Sequence, residues 1–134
     1  FRLPLSPDLV TSYRTEEKSA VPYAAAVNLL GRPDRPTAFV CYNDELAVQL
    51  LEAVRQAGLS VPEQISLVGF DDSPLATATE VKLTTLTHPK SAMGRDAALF
   101  LIDRIENGAG QRDGEVKVYE PELVVRESTA SPAG

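Results

Sequence analysis

Two runs decide the fold: Pro36-Thr37-Ala38-Phe39-Val40-Cys41-Tyr42-Asn43-Asp44 and Ile65-Ser66-Leu67-Val68-Gly69-Phe70-Asp71-Asp72. Each is a short, continuous apolar segment closed by amide or carboxylate side chains. Such runs, bounded by turn residues, read as strands buried on both faces of a parallel sheet. The stretch between them has a different period. Ala47, Leu50, Leu51 and Val54 recur at the spacing of one helix face, opened by Asn43 or Asp44 as N-cap and stopped by Gly58. Strand, helix and strand, joined by short connections that include the turn around Pro62, predict a right-handed βαβ unit in a doubly wound α/β sheet.

Upstream, residues 9–13 are apolar enough for a short strand after the turn residues Ser6 and Pro7. Ser19 can cap a helix in which Ala20, Ala24, Val27 and Leu30 share a face, with Pro22 harmless in its first turn and Gly31 as the stop. Downstream, Asp71-Asp72-Ser73-Pro74 opens a loop, and residues 82–87 form a further strand. Pro89 then opens the longest helix, ended by Asn107-Gly108, with Met93, Ala97, Phe100, Leu101 and Ile105 on a wide apolar face. A hairpin-like polar stretch over 110–115 leads to a last strand around Leu123-Val124-Val125, and residues 131–134 should fray.

Composition narrows the function. At 134 residues, 43% hydrophobic and 24% charged, the chain is a compact globular domain or part of a larger one. Its 13 basic and 19 acidic residues give a formal charge of -6. That balance repels phosphate backbones, and there is no basic stripe to release DNA counterions, so the chain itself should not grip nucleic acid. The single cysteine, Cys41, excludes an internal disulfide and suits a reducing cytoplasm. No apolar run is long enough to span a membrane, and no signal peptide is evident. The chain opens at Phe1 without a Met, which leaves room for a leader or a whole domain upstream.

Three polar groups fall at the carboxyl ends of predicted strands: Asn43-Asp44, Asp71-Asp72-Ser73 and His88. In open α/β sheets that edge is where ligands bind. Carboxylates and amides suit sugar hydroxyls, since each can bond two neighbouring O–H groups. Each group also has a plainer reading. Asn-Asp before a helix is commonly a cap, Asp-Asp-Ser-Pro a common turn opening, and a His before Pro a cap or a surface residue. Catalysis finds little support. There is no G-x-G-x-x-G, Walker loop or G-x-S-x-G elbow, and one His with one core Cys makes neither a triad nor a metal site. No cofactor is called for.

The ordered set Pro36-Thr37-Ala38, Tyr42-Asn43-Asp44, Ala47, Gly58, Val61-Pro62, Ile65 to Asp72 and Leu83-Thr84-Thr85 strongly resembles the effector-binding domain of LacI-type regulators. The resemblance covers nearly the whole chain. Cys41-Tyr42-Asn43-Asp44-Glu45, Val81-Lys82-Leu83-Thr84, His88-Pro89-Lys90-Ser91 and Tyr119-Glu120-Pro121-Glu122-Leu123 are similar to a narrower group. These are the arabinose-responsive repressors, which join a LacI-type sensor to a GntR-type winged-helix domain.

The resemblance implies a cytoplasmic, homodimeric repressor, not an enzyme, that senses arabinose or a similar small sugar and touches DNA only through an N-terminal domain outside this chain. A periplasmic sugar-binding protein of a transporter is the rival reading. Asn43 and Asp71 match the family's sugar-contacting Asn and Asp, and His88 falls where it has a polar rim residue. Tyr42, Glu80 and Lys90 lie beside these in the sequence. The implied fold is the C-terminal lobe of a two-lobed, periplasmic-binding-protein-like sensor with a mainly parallel sheet. Residues 1–130 would be a partial sensor, with 1–87 and 116–130 in that lobe, 88–115 belonging to the missing first lobe, and 131–134 a tail. The missing lobe includes a helix that usually supplies an Arg to the ligand, so the chain looks truncated and should bind sugar weakly or not at all. Its long helix, without its natural sheet, should pack against a second copy or dock abnormally on its own lobe.

Overall fold

The computed structural model describes residues 7–10, 20–108 and 116–131. After a 3₁₀ turn over Pro7–Leu9 come α1 (Ala20–Leu30), β1 (Ala38–Val40), α2 (Asp44–Gln56) and β2 (Ser66–Phe70). The short α3 (Leu75–Ala78), β3 (Thr84–Thr87), α4 (Lys90–Asn107) and β4 (Glu122–Val124) follow. Among the described residues the strands form one sheet in the order β1-β2-β3-β4. The first two pairings are parallel and β3–β4 is antiparallel, with Phe39 opposite Leu67, Gly69 opposite Thr85 and Leu86 opposite Leu123. The sheet is mainly parallel, as expected. Leu9, expected in a strand, lies in the 3₁₀ turn, while residues 11–13, Ser19, 110–115 and 132–134 lie outside the described residues.

One face of the sheet carries the core. Leu67 of β2 and the preceding Ile65 are fully buried against Leu50, Ala53 and Val54 of α2 and Leu30 of α1. A second cluster joins Ala47 of α2, Ala76 of α3 and Leu83. Asn43 caps α2 by accepting from the Leu46 N–H at 2.9 Å, and Gly58 follows its end at φ 72°, where a side chain would be strained.

Two expectations about burial fail for physical reasons. In α1 the buried residues are Leu29 and Leu30, with Ala26 packed alongside, while Ala24 and Val27 are exposed. The helix is almost uniformly apolar, so its periodicity did not define a face, and contact with α2 decides it. The run over 37–42 was expected to be a strand covered on both faces. In the described sheet β1 is an edge strand, Phe39 packs inward, and Val40 is 81% exposed.

Helix α4 runs as far as expected, ended at Gly108, but it contributes no buried residue. Leu101 and Ile105 are 61% and 74% exposed, so that apolar face of α4 stays open. It is tied to the return segment where Asp96 accepts from Lys117 Nζ and from Tyr119 Oη. That pairing holds the Asp96 carboxyl below its ordinary range, through the hydrogen bond from Lys117 first and that from Tyr119 next.

The chain's last described residues close the sheet at the amino ends of its strands. The Ser128 hydroxyl, fully buried, donates to the Leu67 carbonyl at 2.6 Å and accepts from the Thr84 N–H at 2.8 Å. The Ser128 carbonyl accepts from Leu67 N, and Arg126 reaches the Leu83 carbonyl. Ser128→Ala should therefore leave a buried N–H and a buried C=O unmatched, at about 1–3 kcal/mol for each group. Urea unfolding should show a lowered midpoint with an unchanged m-value.

Candidate functional site

The carboxyl edge of the parallel strands is organised by Asp44, the first residue of α2, which is 1% exposed. Its Oδ1 accepts from the Thr85 hydroxyl at 2.6 Å and its Oδ2 from the Ser73 N–H at 2.7 Å. One carboxylate thus ties the start of α2 to β3 and to the turn after β2. It also lies over Gly69: a Cβ on that residue would meet Asp44 Cγ at 3.3 Å and its Oδ1 closer still. Glycine in the middle of a strand is costly in itself, and here the approach of a carboxylate requires it.

The turn beyond β2 is strained. Asp71 and Asp72 have φ of 104° and 44°, a region that residues with a Cβ seldom adopt. Such backbone costs about 1–3 kcal/mol per residue and persists only where its surroundings over-determine it. Here they do. The Asp71 N–H donates to the Leu86 carbonyl, and the Asp71 carbonyl accepts from Lys90 Nζ. Asp72 pairs with Arg126 at 2.6 Å, and the Ser73 N–H is held by Asp44. The backbone is bent so that the Asp71 carboxylate stands half-exposed at the sheet edge.

Around it lies a concavity of about 340 Å³ lined by Cys41, Tyr42, Phe70 and Asp71. His88, the first residue after β3, stacks on Phe70 with ring centroids 5.4 Å apart. Its Nδ1 is buried with no hydrogen-bond partner and lies 4.0 Å from Asp71 Oδ1. Tyr42 is 79% exposed. Cys41 stands in the wall, and burial first, with the Asp44 charge second, pushes its thiol up to about 11. A thiol so shifted is not a nucleophile near neutral pH.

Of the residues singled out in the sequence, Asp71, His88, Tyr42 and Lys90 come together here. Asn43 stands at the same edge, between Tyr42 and the start of α2. Its Oδ1 is engaged as the cap, which fixes the amide while its Nδ2 donors have no part in that bond. Glu80 does not join them. It is exposed beyond α3, and its charge acts on Arg55 near the far end of α2. Sequence reading missed the bridging by Asp44, the Asp72–Arg126 pair and the Phe70–His88 stack. Only the first had a signal, the lone glycine inside a strand.

A mainly parallel sheet with its polar groups gathered beyond the carboxyl ends of three strands is a binding module of the α/β type. Residues 3–129 match the periplasmic binding protein-like domain, and the chain belongs to that family. Among its relatives, the arabinose metabolism transcriptional repressor of Geobacillus stearothermophilus is 56% identical over 129 residues, 95% of this chain. The chain spans only 35% of that repressor's length. A LacI-type transcription regulator from Bifidobacterium animalis subsp. lactis superposes with a TM-score of 0.73 at 32% identity, over 83% of this chain and 39% of that one. A LacI family regulator from Enterococcus faecium, solved with bound ribose, gives 0.71 at 32% identity over 82% and 40%.

The contact between Asp44 and Gly69 predicts a coupled pair. Gly69→Ala alone should destabilise by about 1–3 kcal/mol through overpacking. In an Asp44→Ala background the same substitution should cost far less, so a double-mutant cycle of urea unfolding should show strong non-additivity.

Proposed function

We propose that this chain is the effector-binding part of a transcriptional repressor, taking a small sugar, arabinose or one like it, against Asn43, Asp71 and His88. Tyr42 and Lys90 would border the bound sugar, and Glu80 would have no part in it. The observation that carries this reading is the strained turn, which presents the Asp71 carboxylate beside an aromatic-walled concavity. A carboxylate, an amide and an imidazole on rigid supports are the groups that read hydroxyls, and a polar contact left unmade in such a site penalises the wrong epimer. The names of the relatives lend support, one an arabinose metabolism repressor and one a regulator with bound ribose.

The division of the chain follows the same reading. Residues 1–87 and 116–130 would form the C-terminal lobe, with 131–134 a tail. The segment 88–115, which holds the unburied α4, would belong to a first lobe that this chain does not contain. The complete protein would be a cytoplasmic homodimer that meets operator DNA through a separate N-terminal domain, since the charge of -6 here disfavours phosphate. Its role is binding and not turnover. Among the described residues at this edge the Cys41 thiol is pushed up to about 11, which supports that reading.

The sugar would close the two lobes and disfavour the DNA-bound arrangement of the dimer. By linkage, operator must then weaken sugar binding by the factor by which sugar weakens operator binding. Calorimetric titrations with and without operator should give that equality, and equal sugar affinities would contradict it. Asp71→Ala in the complete repressor should abolish the sugar response and leave operator affinity intact, each lost charged contact weakening sugar binding by about 1.5–3 kcal/mol. Unchanged sugar affinity would remove Asp71 from the site.

A further inference from the structure

The least explained polar atom at the carboxyl edge is His88 Nδ1. It is buried and has no hydrogen-bond partner, and the closest carboxylate oxygen, Asp71 Oδ1, lies 4.0 Å away. The Phe70 ring stacked on the imidazole limits how it can turn. The charged groups around the pair are few. Lys90, on the first turn of α4, is committed through its Nζ to the Asp71 backbone carbonyl. Asp72 is paired with Arg126, and Asp44 is held by Thr85 and Ser73. On the adjoining strand Glu122 stands opposite Thr87 and is exposed. Tyr42 and Cys41 are the other titratable groups lining the concavity, and burial holds the Cys41 thiol protonated. Among the described residues, the Asp71 carboxylate is the one paired with His88 at ion-pair distance, and so is placed to receive a proton-bearing Nδ1.

We infer that His88 and Asp71 form a proton-operated latch on the sugar site: protonated His88 donates to the Asp71 carboxylate and competes with the sugar hydroxyl for it. This rests on the assignment of Asp71 as a sugar contact. An imidazole changes charge between about pH 5 and 8, and His88 is the chain's only histidine. In the free site, protonation turns a buried atom without a partner into a charged donor 4.0 Å from an oxyanion, a gap that a small side-chain movement closes. A bound sugar that takes the same lone pairs disfavours that proton. Binding therefore releases a proton as pH falls into the imidazole range, and affinity drops on acidification. With neutral His88 the carboxylate is left to the sugar. The latch acts on effector affinity and leaves the operator domain untouched.

The test uses the complete repressor, titrated calorimetrically with L-arabinose from pH 8 to pH 5.5, as wild type and as His88→Asn. Asparagine keeps a polar group near the Nδ1 position but does not titrate. Wild type should lose about tenfold in affinity on acidification, as linkage requires when a proton and the sugar compete for one carboxylate. His88→Asn binds from a different starting affinity, since His88 borders the sugar, and should show no fall on acidification. If that variant folds poorly, wild type suffices: the binding enthalpy at pH 6 should differ between two buffers of unlike ionisation enthalpy, reporting released protons. Binding with no pH dependence, no proton release, or the same dependence in both proteins would overturn the latch while leaving the sugar site standing. Absence of arabinose binding at every pH, in wild type, would overturn the site assignment and the latch with it.

Discussion

A single buried carboxylate sets the geometry of the ligand edge. Asp44 opens α2, bonds Thr85 in the middle of the sheet and holds the Ser73 amide in the turn after β2. A buried carboxylate is tolerable only when its lone pairs are filled, and here each oxygen has a short donor. The requirement propagates. β2 must have glycine at position 69 to let the oxygen pass, β3 must offer a hydroxyl at 85, and the turn must bring an N–H back toward the helix. That last demand bends residues 71 and 72 into left-handed backbone. The outward Asp71 carboxylate, proposed above as a sugar contact, follows from the packing of its buried neighbour.

Strain at Asp71 and Asp72 gives the site its rigidity. A turn free to relax would let the carboxylate wander, and a ligand would then have to order it on binding. The Lys90 and Arg126 contacts, one from the start of α4 and one from just beyond β4, hold the turn from two sides. Lys90 begins a helix that contributes nothing to the buried core, yet its side chain reaches the Asp71 carbonyl. The start of α4 is thus joined to this edge both by the Lys90 side chain and by the backbone that runs from His88 through Pro89.

Much of the fold was legible because it rests on local rules. The strands over 66–70 and 84–87, and the helices starting at 44 and 90, follow from apolar runs, caps and glycine stops, and the structure has them within a residue or two of their expected bounds. The burial of β1 and α1 was not legible. Both segments are apolar throughout, and only the neighbours that a strand or helix acquires in three dimensions decide which side is wet. The edge groups were legible as a set, since strand ends can be read and polar residues there stand out. Glu80 shows the limit. It is close to Asp71 in sequence, but α3 and the descent to β3 carry it to the other end of α2. The Asp72–Arg126 pair, separated by 54 positions, had no sequence signal at all.

The tail that closes the sheet has a consequence for how the molecule is made. Ser128 satisfies the Thr84 N–H and the Leu67 carbonyl across separations of 44 and 61 residues. A chain leaves the ribosome amino end first, so β2 and β3 are synthesised long before the residue that completes their hydrogen bonding. Until it arrives, those strands have unpaired groups and the long α4 excursion intervenes. A chain that has emerged past α4 but lacks Ser128 would present the apolar face of that helix beside two strands whose hydrogen bonding is incomplete. That is the surface that aggregates or attracts chaperones. Translation speed through this stretch, and not only the stability of the finished domain, would set how much of the protein is recovered folded.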